Sequence, residues 1–219
     1  MAKGTLNVGS GVTATNTDDY GNVIGHITAG DALNTANGGN VALGCNAAGA
    51  QTTGLNNVAI GCHAMALSAD DADNNVAIGK LALGGADVSG FDNVAIGTSS
   101  ADAVTTGACN IAMGINALGA ATDNCDNIAI GQSALAASVN DADNNVAIGK
   151  TAMGGADVAG ASNIAIGETA MDALTSGACN IALGLNALGA ATDNCDNIAI
   201  GQAALAASVN DGDNNIAIG

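Results

Sequence analysis

Six cysteines are the residues of this 219-residue chain whose spacing is most informative about chemistry. They form three pairs, with members 16 or 17 positions apart: Cys45 and Cys62, Cys109 and Cys125, and Cys179 and Cys195. If paired residues occupy near-equivalent places on neighbouring strands, their Cα atoms are about 4.8 Å apart, within the range that a disulfide requires. Two interpretations stay open: disulfides that join neighbouring repeats in an oxidising medium, or a ladder of small buried thiols. Zinc is not expected, since no CxxC pair or histidine completes a site.

Three acidic segments are the second group of candidate ligands, and they recur at a constant interval along the chain. Each alternates Asp with a small residue and ends in Asn, and carboxylate and amide oxygens are the ligands that Ca²⁺ prefers. No Glu follows at the distance that an EF-hand loop requires. We therefore expect turns whose side chains cap backbone groups, with weak calcium binding as the alternative and no other cofactor. The candidate ligands are Asp71, Asp73, Asp141, Asp143, Asp211 and Asp213.

Catalysis is not expected of this chain. A nucleophile needs a base and an orienting group gathered in one pocket. The two histidines, His26 and His63, belong to different repeats, and no Ser-His-Asp or Cys-His set recurs at either of them. The sequence therefore predicts a protein that is not an enzyme.

The charge of the chain excludes two classes of partner. Its formal net charge is −17, and only Lys3, Lys80 and Lys150 oppose 20 acidic residues. Binding to nucleic acid or to anionic lipid needs clustered Lys and Arg. No stretch of about 18 apolar residues indicates a membrane span, and the N-terminus lacks the apolar segment of a secretion signal. We expect synthesis in a cytoplasm, no nucleic-acid binding and no membrane insertion.

A short motif, Asn-[Val/Ile]-Ala-[Ile/Leu/Met]-Gly, recurs from Asn40 to the last residue. Its closing glycines, together with a degenerate copy at Gly25, are separated by 17 to 19 positions. A longer period is superimposed on the short one, because residues 80–149 match residues 150–219 at 53 of 70 positions without an insertion. Self-similarity at a fixed period is the signature of a repeat architecture.

Each repeat has the pattern of short strands. The Val-Ala-Ile run alternates large and small residues with the period of two that a strand has, and the Gly after it permits a turn. A second apolar run, such as Ala82-Leu83, follows three to four positions later and predicts a second short strand. We expect an all-β parallel β-solenoid of about twelve coils of about 17–18 residues, each coil being one turn of the chain. Equivalent side chains should stack in ladders, among them the Asn four residues before each closing Gly of the motif, whose amides satisfy turn backbone groups and one another.

The large strand residues are expected to form two apolar columns inside the coil, represented by Val41 and Ile60. A coil this short encloses little volume, so a single rod would be marginally stable. Association of copies around a symmetry axis, through the second apolar run, would supply the missing burial. Eleven steps of about 4.8 Å predict a rod about 53 Å long.

The repeats NNVAIGKLALGG, DNVAIGTSSADA, CNIAMGINALGA and DNIAIGQSALAA resemble the head repeats of trimeric autotransporter adhesins, a pattern also found in bacteriophage tail-fibre proteins. The resemblance covers residues 40–219 clearly and residues 22–39 weakly. It implies a left-handed parallel β-roll that assembles as a homotrimer. The coils of this chain are longer than those of the adhesin heads, which places extra residues in one outward turn.

Two functions fit this resemblance. The first is a non-enzymatic virion structural protein of a bacteriophage, a head or tail fibre or a capsid decoration protein on the virion exterior. We expect no secretion signal, stalk or anchor of the kind that adhesins need, and a phage protein needs none because lysis releases it from the host cytoplasm. The alternative is an extracellular, adhesin-like module whose outward turns bind a host cell surface. An ice-binding solenoid is a remote alternative, because the residues after each Gly, such as Lys80 and Gln132, are too irregular.

Residues 1–21 break the pattern and are expected to form a segment separate from the repeat domain of residues 22–219. This segment alternates Thr and Val and contains the only Tyr of the chain. We expect it to attach the rod to another virion protein, to shield the open edge of the first coil, or to do both. The residues of interest are Leu6, Val8, Val12 and Tyr20.

Overall fold

The structure, a computed structural model, describes residues 22–25, 28–33, 38–68, 71–139, 142–207 and 212–219. In these ranges the chain is all-β and contains no helix, which confirms the predicted fold class. Twelve short strands form one parallel sheet in which the spatial order equals the chain order. The strands are β1 Val23–Ile24, β2 Val41–Leu43, β3 Val58–Ile60, β4 Val76–Ile78, β5 Val94–Ile96, β6 Ile111–Met113, β7 Ile128–Ile130, β8 Val146–Ile148, β9 Ile164–Ile166, β10 Ile181–Leu183, β11 Ile198–Ile200 and β12 Ile216–Ile218.

The register of the sheet follows the sequence motif. Val41 pairs with Val58 and Ala42 with Ala59, and the same equivalence continues from β2 to β12. Like side chains therefore stack on like from β2 to β12, whereas Ile24 of β1 pairs with Ala42. The short period of the motif sets this register, because each repeat returns the chain to the same place one strand spacing further along.

The Asn that precedes each strand forms a ladder, as the sequence predicts, and this ladder is buried from β1 to β11. The side-chain Oδ1 of Asn57 accepts a hydrogen bond from the backbone N–H of Asn75 on the next coil at 2.8 Å, and Asn75 repeats this contact with Asn93 at 2.9 Å. The Asn75 amide also donates to the carbonyl of Gly90 in a turn, at 2.9 Å. Asn75 is fully buried. Each amide thus satisfies backbone groups that no water molecule reaches.

The Gly that closes each strand is required by its conformation and by its neighbours. Gly44 has a φ of +135°, a region open to glycine alone. A Cβ atom placed there would lie 2.6 Å from the carbonyl oxygen of Gly61 on the next coil. A side chain at any closing glycine from Gly44 to Gly201 would likewise meet the backbone of the next coil and force the coils apart.

The second apolar run is a turn, so the prediction of a second strand is wrong. Leu81 and Leu83 have φ of +58° and +48°, and the fully buried Ala82 lies between them. Their N–H groups donate to the carbonyls of Cys62 and Ser100, one on the preceding coil and one on the following coil, at 3.1 and 3.0 Å. The run therefore stacks by backbone hydrogen bonds without the extended dihedrals of a strand. These bonds compensate a left-handed conformation that bulky residues rarely adopt. Because Ala82 and Leu83 are fully buried inside the coil, the expectation that copies associate through this run is wrong.

The interior of the coil is lined by small residues from the sheet and by large residues from the turn. The central Ala of the strands from β2 to β12 points inward, as Ala77 and Ala95 show with no exposed surface. Leu83, Leu118 and Leu135 from the turns fill the space opposite and are also fully buried. The expectation that Val and Ile columns line the interior is wrong, because alternation along a short strand turns both flanking side chains outward once Ala faces inward.

Candidate interaction surface

The outward side of the sheet is an apolar surface two side chains wide, which we call the sheet face. The first and third residues of the strands form it, and most of them are half-buried by their neighbours alone. Leu43, Met113 and Ile166 are 36%, 38% and 39% exposed. The residues of the sheet face from β2 to β12 are Val41, Leu43, Val58, Ile60, Val76, Ile78, Val94, Ile96, Ile111, Met113, Ile128, Ile130, Val146, Ile148, Ile164, Ile166, Ile181, Leu183, Ile198, Ile200, Ile216 and Ile218.

The sheet face carries no charge, although the chain has a net charge of −17. Its length is about 50 Å and its width about 10 Å, from the spacings of strands and of residues along them. Parallel sheets are normally covered on both sides. A continuous exposed apolar patch of this size is typical of surfaces that contact another molecule.

A column of exposed side chains borders the sheet face, one residue after each closing Gly. We call it the flanking column. Ile115 and Leu185 extend the apolar surface at two heights and are 58% and 45% exposed. The Lys150 Nζ and the Glu168 Oε1 of adjacent coils lie 3.5 Å apart. The column consists of Cys45, Cys62, Lys80, Thr98, Ile115, Gln132, Lys150, Glu168, Leu185 and Gln202.

The first cysteine pair belongs to the flanking column. Cys45 and Cys62 are exposed free thiols on adjacent coils. The N–H of His63 donates to the carbonyl of Cys45 at 2.8 Å, which places the two cysteines at equivalent positions. The Sγ atom of Cys62 lies 3.1 Å from Nδ1 of His63, within hydrogen-bond distance for sulfur, so a Cys–His contact exists where none is expected from the sequence.

The other two pairs are arranged differently. Cys125 accepts a hydrogen bond through Sγ from the N–H of Ala108 at 3.4 Å, and it donates to the carbonyl of Asp123 at 3.3 Å. Cys195 makes the corresponding contacts in the second long repeat. Since Ala108 stands opposite Cys125, Cys109 is offset from it by one residue. Cys109 and Cys179 are exposed, and Cys125 and Cys195 are half-buried. With Cys45 and Cys62 also exposed, none of the six thiols is buried inside the coil.

Carboxylates border the Cys109 thiol on both sides. Cys109 stacks with Asp92 of the preceding coil and with Asp126 of the following coil, as the neighbouring backbone hydrogen bonds show. Partial desolvation, together with the negative charges of Asp126 and Asp92, raises the pKa of the Cys109 thiol. This environment disfavours the thiolate.

The described acidic segments make backbone contacts between coils. Oδ1 of Asp73 accepts the N–H of Leu55, and Oδ1 of Asp143 accepts the N–H of Cys125, both at 2.7 Å. Asp213 makes the same contact with Cys195. Oδ1 of Asp71 lies 3.3 Å from the Thr53 hydroxyl. These carboxylates act as caps of neighbouring turns.

The structure contains no group of three or more His, Cys, Asp or Glu side chains suited to a metal ion within its described ranges. Two of the candidate calcium ligands, Asp141 and Asp211, lie outside those ranges. The same is true of His26 and of the whole segment of residues 1–21. Its attachment residues, Leu6, Val8, Val12 and Tyr20, therefore stay a prediction. No helix long and apolar enough to cross a membrane occurs among the residues described.

Sequence reasoning missed two partly buried carboxylates, Asp102 and Asp172. They occupy equivalent positions in the two long repeats, and one oxygen of each is buried without a hydrogen-bond partner. Desolvation raises the pKa of both carboxyls, and the N–H groups of Gly85 and Gly155 partly oppose this effect. Only the three-dimensional stacking of Asp102 over Gly85 reveals the environment, since the residue types give no signal.

Comparisons with models of protein families, with curated proteins and with solved structures found no match to this chain. The fold and the sheet face define its class, which is an all-β repeat protein built as a parallel β-solenoid. This architecture is compatible with a rigid structural or adhesin-like repeat protein.

Proposed function

We propose that the chain is a non-enzymatic structural rod of a bacteriophage virion, in which three copies pack through their sheet faces. The observation that carries the proposal is the uncharged apolar sheet face of a strongly acidic chain. A lone rod would leave this surface in water. Packing around a common axis would cover it and leave the polar turns outside for display.

The periodicity of the sheet face favours a second copy of the same chain as its partner. Side chains of one kind repeat along the face with the strand spacing of about 4.8 Å over eleven strands. Complementary packing over the whole length requires a partner with the same rise per step. Another copy of this chain has that rise, whereas a partner of unrelated architecture would match only locally.

Charge also favours self-association through this face. The acidic side chains lie outside the strands, and no strand residue is charged. Copies that meet through the sheet face therefore keep their carboxylates apart, and contact between other surfaces would bring like charges together. Because the sheet face is only about 10 Å wide, a dimer of two such faces would form a narrow interface. Three such faces arranged around a common axis can enclose an apolar core along that axis.

The assignment to a virion rests on the resemblance of the repeats to phage fibre proteins and on the small interior of each coil. A rod stiffened by ladders of Asn and of backbone hydrogen bonds suits a fibre or decoration protein.

The variable outward turns favour a second candidate, an adhesin-like module that binds a host surface. Labelling of intact virions with antibodies against this chain, viewed by electron microscopy, distinguishes the two, since an adhesin would label cells instead.

The association is tested by light scattering of the purified chain. We expect a mass near three times 20.6 kDa. The double variant Ile96→Glu with Ile130→Glu should dissociate it, because it places charges on the sheet face. Thr98→Glu is the matched control, since Glu168 occupies the equivalent flanking position naturally. A wild-type mass of one chain would refute the trimer.

A further inference from the structure

One end of the flanking column places two thiols and an ammonium group next to one another, and the fold of the rod does not require these residue types there. Cys45, Cys62 and Lys80 follow one another on three consecutive coils. The backbone hydrogen bonds from His63 to Cys45 and from Leu81 to Cys62 fix this stacking at 2.8 and 3.1 Å. Both thiols are exposed, so a small molecule can reach them.

The Cys62 thiol has a hydrogen-bonding partner that can take its proton. Its Sγ lies 3.1 Å from Nδ1 of His63, the distance expected when a nucleophile is paired with a base. The ammonium group of Lys80 belongs to the next position in the column and adds a positive charge to the neighbourhood. Lys80 is one of only three Lys residues in the chain.

The other thiols lack these features. Cys125 and Cys195 use their sulfur atoms in contacts with backbone groups. Cys109 lies between two carboxylates that disfavour its thiolate. Cys179 has Asp196 on the following coil. Among the six cysteines, Cys62 alone has an imidazole partner, and Cys45 alone shares its column.

We propose that Cys45, Cys62 and His63 form a thiol–disulfide exchange site, at which a low-molecular-weight disulfide oxidises the two cysteines to an intrachain disulfide. The Cα spacing of adjacent strands, about 4.8 Å, lies within the range that the bond requires. The product links two coils covalently once the protein reaches an oxidising medium.

The reaction proceeds in two exchanges. The thiolate of Cys62, whose proton passes to His63, attacks one sulfur of the small disulfide, and the S–S bond breaks with release of one thiol. The thiolate of Cys45 then attacks Sγ of the mixed disulfide at Cys62 and expels the second thiol. The two protons of the cysteines end on the two released thiols. The protein loses two electrons, and the small disulfide gains them.

The first test measures the alkylation rate of each cysteine in the reduced intact chain, with iodoacetamide and peptide mapping by mass spectrometry. We expect Cys62 to react about ten times faster than Cys109. His63→Asn keeps a residue type that tolerates the positive φ of this position, +59°, and should slow Cys62 to within about two- to threefold of Cys45, the difference that Lys80 supplies. Equal rates at Cys62 and Cys109 would overturn the proposal.

A matched pair of lysine variants separates the local charge from the total charge. Lys80→Gln should slow the reaction of Cys62, by about two- to threefold. Lys150→Gln removes the same charge at the equivalent position of the second long repeat, where the neighbours are Gln132 and Glu168, and should leave Cys62 unchanged. An equal effect of both variants would contradict a local role for Lys80.

The second test oxidises the reduced chain with glutathione disulfide. We expect a peptide linked through Cys45 and Cys62, and we expect Cys45→Ser to trap glutathione on Cys62. A mixed disulfide that persists at Cys62 in the wild-type chain would refute the second exchange. These readouts do not depend on the oligomeric mass, so failure here leaves the proposed trimer untouched.

Discussion

The two long repeats, residues 80–149 and 150–219, have the same fold and different sequences, so they can be compared within one chain. They are identical at 53 of 70 positions. The first contains β5 to β8 and the second β9 to β12, with the same strand lengths and registers. The positions at which they differ therefore show where the fold leaves the sequence free.

The interior accepts changes of volume. Ala101 and Val104 of the first repeat correspond to Met171 and Leu174 of the second, and all four are at most 1% exposed. Ser100, which donates to the carbonyl of Gly97 at 3.1 Å, corresponds to Ala170. By contrast, the Asn ladder and the closing glycines are identical in the two repeats. The backbone ladders constrain the sequence more tightly than the packing does.

Deletion of residues 80–149 has the largest expected effect and tests whether the second long repeat folds without the first. It joins Gly79 to Lys150, which is the same dipeptide as Gly79–Lys80, and it removes four strands. We expect a folded rod shorter by about 19 Å, because each coil contacts only its neighbours. Circular dichroism and small-angle X-ray scattering measure the outcome. An unfolded product would mean that the two repeats depend on each other.

Truncation of the larger interior side chains should have the next largest effect. Met171→Ala leaves a cavity in the second repeat and should lower the free energy of unfolding by about 2–5 kcal/mol. The measurement is chemical denaturation. Leu185→Ala, at a flanking position that is 45% exposed, is the control and should change stability much less. Equal effects would indicate that the interior is not packed around Met171.

The repeat period, the parallel sheet and the Asn ladder could be predicted because each rests on a strict local pattern. The direction of the strand side chains could not. Val-Ala-Ile fits a strand with either set of side chains inward, and only the short distance across the coil selects Ala77. The large residue that fills the remaining space, Leu83, comes from the opposite turn.

The conformation of that turn also could not be predicted from the sequence. Leu and Met are disfavoured at positive φ, so Leu83 at +48° and Met153 at +49° run against their intrinsic preferences. Hydrogen bonds to the next coil impose the conformation, and a repeat read by itself does not contain them. The candidate thiol site depends on the same stacking, because Cys45 and Lys80 reach Cys62 only across coils.

The equivalent carboxylates Asp102 and Asp172 give a smaller effect with a defined pH dependence. Burial raises the pKa of each carboxyl in the folded state. The neutral carboxyl is therefore the form that the fold favours. Its contribution to the free energy of unfolding is complete below the pKa of the unfolded chain, about 4, and is lost as the pH rises through the pKa of the folded state. Asp102→Asn should therefore stabilise the rod at pH 7, by less than about 1 kcal/mol because solvent screens the rest of the group. Thermal melts at pH 7 and below pH 4 measure this gain.

Asp172→Asn is the matched variant in the second repeat and should behave in the same way. The gain of both variants should vanish in acid, where the wild-type carboxyls are neutral. A gain that persists below pH 4 would assign the effect to packing and not to charge.

The smallest expected effect concerns the one charge that distinguishes the surroundings of Cys109 and Cys179. Asp92 precedes Cys109 by one coil, and Ser162 occupies the same position before Cys179, while Asp126 and Asp196 follow in both repeats. Asp92→Ser removes one of the charges that raise the Cys109 pKa, so its alkylation should accelerate about twofold near neutral pH. Ser162→Asp should slow Cys179 by a similar factor. Peptide-mapped alkylation rates of the two thiols should then exchange their order, and an unchanged order would show that desolvation alone controls the reactivity of Cys109.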